Sequence, residues 1–364
     1  EELPGVVTAF NSEAMRGHLQ TALFGAAGPG CAIERCEPGK SVYTGDSCIL
    51  RYALELRDAA SGRRFEALVI GRVFPEGPAA ASYLRDKLAP LVERMRGRDE
   101  IASFTTPAAL IEPLNMVVSV FPIDGELPVL VDVTDAGRMR GILGEMLRAG
   151  LESDLEIQDC RVELGHYGRQ HRCVLRYQIT ASQSGRDHPR SMVVYGKVAS
   201  DGRGALAGPI VAALRKQALD GQGHAHFNIP RCLGFREDLQ LALFEAIPGV
   251  PQVAQLIRAR LAGADPGSSG SLTLERSLDA CGEMAAALHT SEVSLGRIRT
   301  VQDDLDGLRQ GFAIVQRVSP DLGGQFVAWL ERVGAYARQS EPLRSCLSHG
   351  DFSYTQLIFD GLEG

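Results

Sequence analysis

The sequence has few lysines, no closely paired cysteines and no long apolar run. Only four of its 38 basic residues are lysines, and the rest are arginines. Its eight cysteines form no Cys-x-x-Cys pair and no Cys/His set at zinc-ligand spacing, which excludes a redox motif and a structural zinc site. No apolar stretch approaches about 18 residues, and the first residues lack the basic and apolar regions of a signal peptide. These absences predict a protein of the reducing cytoplasm with no membrane partner.

The rest of the composition is that of a globular protein. Hydrophobic residues make up 45% and charged residues 23% of the 364 positions. At about 150 residues per domain, this length predicts two or three domains. The formal net charge of -7 argues against a general nucleic-acid-binding protein, since phosphate contacts need a basic surface. An acidic balance is compatible with a cationic small-molecule partner. Nothing in the sequence predicts the oligomeric state.

The chain repeats itself at an offset of 124 or 125 residues. Four collinear stretches carry the repeat: Ala14–Leu19 aligns with Arg138–Leu143, Cys48–Tyr52 with Cys173–Tyr177, Leu68–Val73 with Val193–Val198, and Ile123–Gly125 with Ile247–Gly249. Units of this length are domains and not solenoid repeats. We therefore predict two copies of one α+β unit, in residues 1–128 and 129–252, and a third region in residues 253–364.

Hydrophobic spacing predicts the same elements in both copies. The expected helices are Met15–Leu23, Ala79–Met95, Met139–Leu147 and Ala205–Asp220, and the expected strands are Ser47–Leu56, Glu66–Phe74, Asn115–Phe121, Arg172–Ala181, Ser191–Ala199 and Leu239–Phe244. Each copy is thus a mostly antiparallel sheet with one or two helices packed on it. The third region is predicted to be helical over Leu274–His289, Asp303–Val318 and Asp321–Arg338, with a loop at Gly263–Ser271.

One segment near the end of the sequence has the spacing of a phosphoryl-transfer loop. His349 precedes Asp351 by two positions, and Gln356 follows it by five, before an apolar stretch expected to form a strand. A carboxylate in such a loop can orient an attacking hydroxyl and accept its proton. An amide oxygen on the same loop can coordinate the Mg²⁺ that bridges nucleotide phosphates.

This segment resembles the catalytic segment of the aminoglycoside phosphotransferase and choline kinase-like family. The resemblance covers residues 129–364 and implies a protein kinase-like fold, with two tandem small β-rich lobes followed by a partial helical lobe. It implies ATP and Mg²⁺ as cofactors and a small molecule bearing a hydroxyl, such as an aminoglycoside, sugar or amino alcohol, as acceptor. Asp351 would be the catalytic base and, with Gln356, a metal ligand. His349 belongs to the catalytic segment and is expected to hydrogen-bond within the loop.

The resemblance also assigns nucleotide-binding positions in the second copy. Lys197 matches the strand lysine that holds the phosphates, and Glu245, Ala246 and Ile247 match the hinge whose backbone holds the adenine. Gly165 and Gly168 are candidates for a turn that covers the phosphates. Ordinary structural turns are the alternative for these two glycines.

The first copy differs at the lysine position. It has Arg72 where the second copy has Lys197, and no catalytic segment follows it. Arginine keeps its charge and could still bind an anion. We expect the first copy to be a degenerate lobe that acts as a cap, a lid or a packing partner.

Three departures from the family pattern leave an alternative function open. Gln356 stands where the family has asparagine, and the helix after Lys197 has no glutamate to pair with the lysine, although Asp201 or Asp220 could substitute. The family also has a second acidic metal ligand on a later strand, whereas Asp360 reads as a hairpin turn residue. The alternatives are a kinase-like nucleotide-binding or regulatory protein with weak or no catalysis, and a fragment of a longer enzyme with an incomplete helical lobe.

Overall fold

The fold is α+β, with two antiparallel sheets followed by a helical region. The computed structural model describes residues 3–25, 30–44, 46–151, 154–168, 172–183, 188–219, 228–249, 253–263, 273–339 and 345–359. The predicted α+β class is therefore confirmed at this level. Most of the predicted loop at Gly263–Ser271, together with Asp220 and Asp360, lies outside the described residues.

The first repeat contains six strands and five helices. In chain order they are α1 (Val6–Ala9), α2 (Ser12–Phe24), β1 (Cys31–Pro38), β2 (Val42–Thr44), β3 (Ser47–Asp58), β4 (Arg64–Val73), α3 (Ala79–Tyr83), α4 (Ala89–Met95), α5 (Asp99–Ala102), β5 (Ala108–Ile111) and β6 (Met116–Val120). A π-helical turn, Leu84–Leu88, joins α3 to α4, so that the predicted helix Ala79–Met95 is continuous. A 3-10 turn, Glu112–Leu114, joins β5 to β6.

Apart from β2 and α5, which have no counterpart among the described residues of the second repeat, the elements of the first repeat recur there in the same order. They are α6 (Leu130–Val133), α7 (Ala136–Leu151), β7 (Leu155–Tyr167), β8 (Arg172–Gln183), β9 (Arg190–Ala199), α8 (Gly204–Leu219), β10 (Cys232–Arg236) and β11 (Leu241–Glu245), with a 3-10 turn at Glu237–Leu239. The helical region follows as α9 (Val253–Leu261), α10 (Leu274–Thr290), α11 (Val301–Val318) and α12 (Pro320–Gln339). Thr300 caps α11 through a capping box with Asp303.

The two sheets have the same strand order. It is β1-β3-β4-β6-β5 in the first repeat, with β2 paired to β3, and β7-β8-β9-β11-β10 in the second. The registers also correspond, because Tyr52 lies opposite Val69 and the equivalent Tyr177 lies opposite Val194. The internal repeat of the sequence is thus also a repeat of topology.

One face of each sheet is covered by the helix that precedes it. Asn11 caps α2, whose buried residues pack on the first sheet, and α7 covers the second sheet in the same way. Each core holds a fully buried tyrosine. The Tyr52 hydroxyl donates to the Ala9 carbonyl at 2.7 Å, and the Tyr177 hydroxyl donates to the Val133 carbonyl at 2.9 Å. A buried tyrosine hydroxyl normally has a hydrogen-bond partner. In both repeats that partner is a backbone carbonyl.

The opposite faces of the two sheets differ. In the first repeat, Ala80, Leu88, Leu91 and Met95 of the α3–α4 helix are buried in a second core. In α8, the corresponding helix of the second repeat, none of the side chains described over residues 204–216 is buried. Among the described residues, buried side chains thus form two apolar cores in the first repeat and one in the second.

The chain forms two compact units. The first contains Glu1–Ala205 and Leu233–Phe244, which include both sheets, and the second contains Leu206–Cys232 and Glu245–Gly364. Within the described residues, no helix is long and apolar enough to span a bilayer.

Candidate functional site

Lys197 lies on β9, the third strand of the second sheet. Its neighbours in the strand, Gly196 and Val198, are buried on the α7 side, so Lys197 projects from the other face. Its ammonium Nζ lies 4.8 Å from the centre of the Phe244 ring on the adjacent strand β11. An aromatic face attracts a cation, and the contact holds the ammonium over the sheet.

A glycine precedes the cation in both repeats for a steric reason. A Cβ atom on Gly196 would lie 2.7 Å from side-chain atoms of both Tyr177 and Leu241. At the equivalent Gly71, a Cβ atom would overlap the Met116 side chain and lie 3.0 Å from the Tyr52 ring. The glycine lets the strand approach the buried tyrosine, and the next residue is thereby fixed on the opposite face.

The two candidate glycines of the phosphate-covering turn have different positions. Gly168 directly follows β7 and donates its N–H to the Arg172 carbonyl at 2.7 Å, which starts the connection to β8. Gly165 instead lies within β7, at a register shift between Leu164 and His166. The structure therefore places Gly168 at the turn and Gly165 at a bulge of the strand.

Asp201, one of the two carboxylates considered as partners of Lys197, forms ion pairs with arginines. Its Oδ2 lies 3.1 Å from Arg172 and 3.2 Å from Arg203. These pairs tie the end of β9 to the start of β8.

The candidate hinge begins at Glu245, at the end of β11. Its N–H donates to the Arg231 carbonyl at 3.0 Å, and its carboxylate accepts from the Arg231 N–H at 2.7 Å. Arg215 also contacts that carboxylate at 3.5 Å. The Glu245 N–H is thus already paired within the protein.

The candidate catalytic segment, residues 349–357, folds back on itself around Asp351. The Gln356 side-chain amide donates to Asp351 Oδ2 at 3.3 Å. Gly350 has a φ of 76°, a conformation that glycine adopts without strain, so a glycine between His349 and Asp351 is required by this turn. The His349 ring contacts the Phe352 ring edge to face, at 5.9 Å between centroids. Asp351 and Gln356, the two predicted metal ligands, are therefore in contact with each other, and His349 packs on Phe352 in the same loop.

A strand is predicted after Gln356, but the described residues up to Phe359 do not form one. Tyr354–Gln356 make a 3-10 turn, and Phe359 makes an isolated β-bridge. Leu357 is buried and anchors this end of the segment. Phe359 also approaches the hinge, because a Cβ atom on Gly249 would overlap its carbonyl oxygen. The hinge and the catalytic segment thus meet within the second compact unit.

Asp351 and Gln356 could supply two of the ligands of a magnesium ion, but by themselves they do not form a complete metal site. Mg²⁺ is usually held by one or two carboxylates together with substrate phosphates and water, and this pair supplies one carboxylate and one amide oxygen. Among the residues that the structure describes, no three His, Cys, Asp or Glu side chains cluster as metal ligands. A bound ion would therefore depend on the nucleotide for its remaining ligands.

The position equivalent to Lys197 in the first repeat is filled by a closed network. Arg72 donates to the Ser47 hydroxyl at 2.9 Å, forms an ion pair with Glu126 and lies 4.9 Å above the Tyr83 ring. Burial alone would lower the pKa of Arg72, but its contacts with Tyr83 and Glu126 raise that pKa overall. Only 14% of the Arg72 side chain is exposed, so its charge is neutralised inside the fold.

A cavity of about 60 Å³ remains beside this network. Its walls include Arg51, Arg72, Tyr83 and Glu126 from the first repeat, and Tyr167 from the second. No motif in the sequence marks Arg51 or Tyr167 as a functional residue. The available signal was the alignment of Arg51 with Arg176, which marks the position but does not reveal a partner more than a hundred residues away.

Comparisons of the chain with models of known protein families, with curated proteins and with solved structures found no match.

Proposed function

We propose that the protein is an ATP- and Mg²⁺-dependent phosphotransferase that acts on a hydroxyl group of a small molecule. The observation that carries the proposal is the folded-back catalytic segment, in which Asp351 and Gln356 meet across the turn at Gly350. The second repeat supports it, because kinases carry their phosphate-binding lysine on the third strand of the small lobe. Lys197 occupies that strand and is exposed, as a ligand-binding cation must be.

In this proposal each residue has a defined task. The Asp351 carboxylate orients the acceptor hydroxyl and takes its proton while the hydroxyl oxygen bonds to the γ-phosphorus and the bond to the β-bridging oxygen breaks, which releases ADP. The Lys197 ammonium offsets the negative charge of the phosphates. The backbone of Glu245–Ile247 holds the adenine. Bound Mg²⁺ would neutralise phosphate charge, with Asp351 and Gln356 as its protein ligands.

The acceptor class rests on the family resemblance and on the charge of the chain. A net charge of -7 suits a cationic acceptor such as an aminosugar or amino alcohol. A panel of aminoglycosides, hexoses and amino alcohols, tested for ATP-dependent phosphorylation by mass spectrometry, would identify the acceptor.

The test of catalysis is the turnover of ATP by the wild type and by Asp351→Asn. Loss of a general base lowers the rate by about 10²–10⁴-fold, and the variant keeps the size of the side chain. Asp279→Asn is the matched control, since Asp279 is an exposed carboxylate on α10 outside the segment. Equal turnover by the wild type and Asp351→Asn would remove the proposed role of Asp351.

A second candidate is a nucleotide-binding regulatory protein of the same fold, favoured by Gln356 in place of the family's asparagine. The longer side chain moves the amide oxygen relative to the carboxylate. Thermal-shift measurements with ATP, with and without Mg²⁺, separate the two candidates, because a ligand bound only by the folded state raises its apparent stability. Stabilisation by ATP without phosphorylation of any acceptor would favour the regulatory protein.

A further inference from the structure

The first repeat binds the turn of the second repeat that is a candidate to cover the nucleotide phosphates. Arg51, on β3, donates from Nη1 to the Tyr167 carbonyl and from Nη2 to the Gly168 carbonyl, the latter at 2.5 Å. Its guanidinium carbon also lies 4.7 Å from the centre of the Tyr167 ring. A planar guanidinium holding two successive carbonyls fixes both the position and the direction of the backbone.

The Tyr167 side chain gives the turn a second attachment. Its hydroxyl donates to the Asp124 carboxylate, and its ring packs edge to face on Phe121 at 5.8 Å. Burial, and next the charge of Asp124, raises the pKa of the Tyr167 phenol well above its ordinary value. The phenol therefore stays protonated and remains a hydrogen-bond donor at every physiological pH.

The place where the turn binds is the counterpart of the nucleotide site proposed for the second repeat. Arg72, in the wall of the cavity, aligns with Lys197, and Asp124–Gly125 aligns with Pro248–Gly249, which follow the hinge. Tyr167 and Gly168 line the same cavity. The surface that would bind a nucleotide in the second repeat therefore has a counterpart in the first repeat. There it binds Tyr167 and Gly168 of the second repeat.

We propose that the first repeat is an intramolecular clamp, in which Arg51 positions the turn after β7 and so sets the affinity of the second repeat for ATP. The predicted effect on ATP affinity rests on the proposed function, whereas the contacts of Arg51 with Tyr167 and Gly168 do not depend on it. Arg51 is a positioning residue, because it acts through the backbone of Tyr167 and Gly168. Loosening the turn should weaken nucleotide binding and leave the chemical step at Asp351 unchanged.

The test compares Arg51→Ala with Arg57→Ala in the full chain. Arg57 lies on the same strand, is exposed and forms an ion pair with Glu34 at 3.9 Å, so it is a matched control. The amide of Gly168 reports on the turn, because it donates to the Arg172 carbonyl. We expect its hydrogen exchange to rise about tenfold in Arg51→Ala and to change less than about twofold in Arg57→Ala.

Nucleotide affinity is the second readout. Calorimetric titration with ATP should show a dissociation constant about fivefold higher in Arg51→Ala, with kcat within about twofold of the wild type. Tyr167→Phe keeps the ring and removes only the hydroxyl contact, and it should produce a smaller change in both readouts. This variant also keeps the proposal testable if Arg51→Ala does not fold.

The outcomes separate the clamp from the proposed function. Unchanged exchange at Gly168 in Arg51→Ala overturns the clamp, whatever happens to ATP. Faster exchange with unchanged ATP affinity overturns the coupling between clamp and site. If the wild type does not bind ATP, the proposed function fails, and faster exchange in Arg51→Ala would still support the clamp.

Discussion

The two repeats share a framework and differ on one face. Both have the same strand order, the same buried tyrosine and the same glycine ahead of a basic residue. In the first repeat that basic residue, Arg72, is enclosed by Ser47, Glu126 and Tyr83, and the neighbouring helix is buried. In the second repeat Lys197 is exposed over the Phe244 ring, and the helix has no buried side chain over residues 204–216.

The difference concerns the basic residue on the equivalent strands β4 and β9, which is enclosed in the first repeat and exposed in the second. The Arg72–Glu126 ion pair is enclosed by the fold, since only 14% of the Arg72 side chain is exposed. Lys197, at the equivalent position of the second repeat, is exposed to solvent. Under the proposed function, the first repeat is a structural partner and the second carries the ligand-binding face.

The largest expected effect tests the second apolar core of the first repeat. Leu88 is 2% exposed, and Leu88→Ala should lower the free energy of unfolding by about 2–5 kcal/mol, because it removes buried apolar surface and leaves a cavity. Leu206→Ala in α8 should cost less than about 0.5 kcal/mol, since Leu206 is 40% exposed. Urea denaturation of the full chain measures both. Similar costs for the two variants would contradict the contrast between the two faces.

A smaller effect tests whether the framework is truly repeated. Tyr52→Phe and Tyr177→Phe each remove a buried hydroxyl and leave the carbonyl of Ala9 or Val133 without its donor. Each variant should lose about 1–3 kcal/mol of the free energy of unfolding, the range for an unsatisfied buried polar group. The two losses should agree to within about 0.5 kcal/mol. A large cost in one repeat and none in the other would show that the two cores are not equivalent.

The smallest expected difference concerns the equivalent cysteines. Burial raises the pKa of Cys36 and of Cys160 to about 11. At pH 8 about one thiol in a thousand is then ionised, and alkylation should accelerate about tenfold per pH unit up to pH 11. Mass spectrometry of iodoacetamide-treated protein should show both cysteines protected equally and the exposed Cys346 labelled first. Labelling in urea, where burial is lost, is the control, and rapid labelling of only one of the pair would contradict the account.

The sequence predicts the helices and the central strands well, because their apolar residues follow a regular period. It misses two long strands, β1 and β7, as well as the short strands β2, β5 and β10 and the helix α9. In both long strands a register shift, after Ile33 and after Ile157, breaks the alternation of buried and exposed residues. The repeat alignment still held a signal, since it pairs Cys36 with Cys160 at the next buried position of each strand.

In the candidate site, contacts between residues close in sequence are easier to predict than contacts between residues far apart in sequence. The meeting of Asp351 and Gln356 is predictable, because both lie in one short loop around Gly350. The contact of Arg51 with Tyr167 is not, because it joins residues 116 positions apart and depends on how the two repeats pack. Sequence spacing also cannot show that Arg72 is enclosed while Lys197 is exposed.

The affinity of the full chain for ATP tests the central claim, that the second repeat carries the nucleotide site. Calorimetric titration of the wild type, Lys197→Ala and the control Lys40→Ala compares two exposed lysines, one in each repeat. We predict that Lys197→Ala raises the dissociation constant about tenfold or more, as loss of a charged phosphate contact should, and that Lys40→Ala leaves it unchanged. Equal affinities for the wild type and Lys197→Ala would contradict the account.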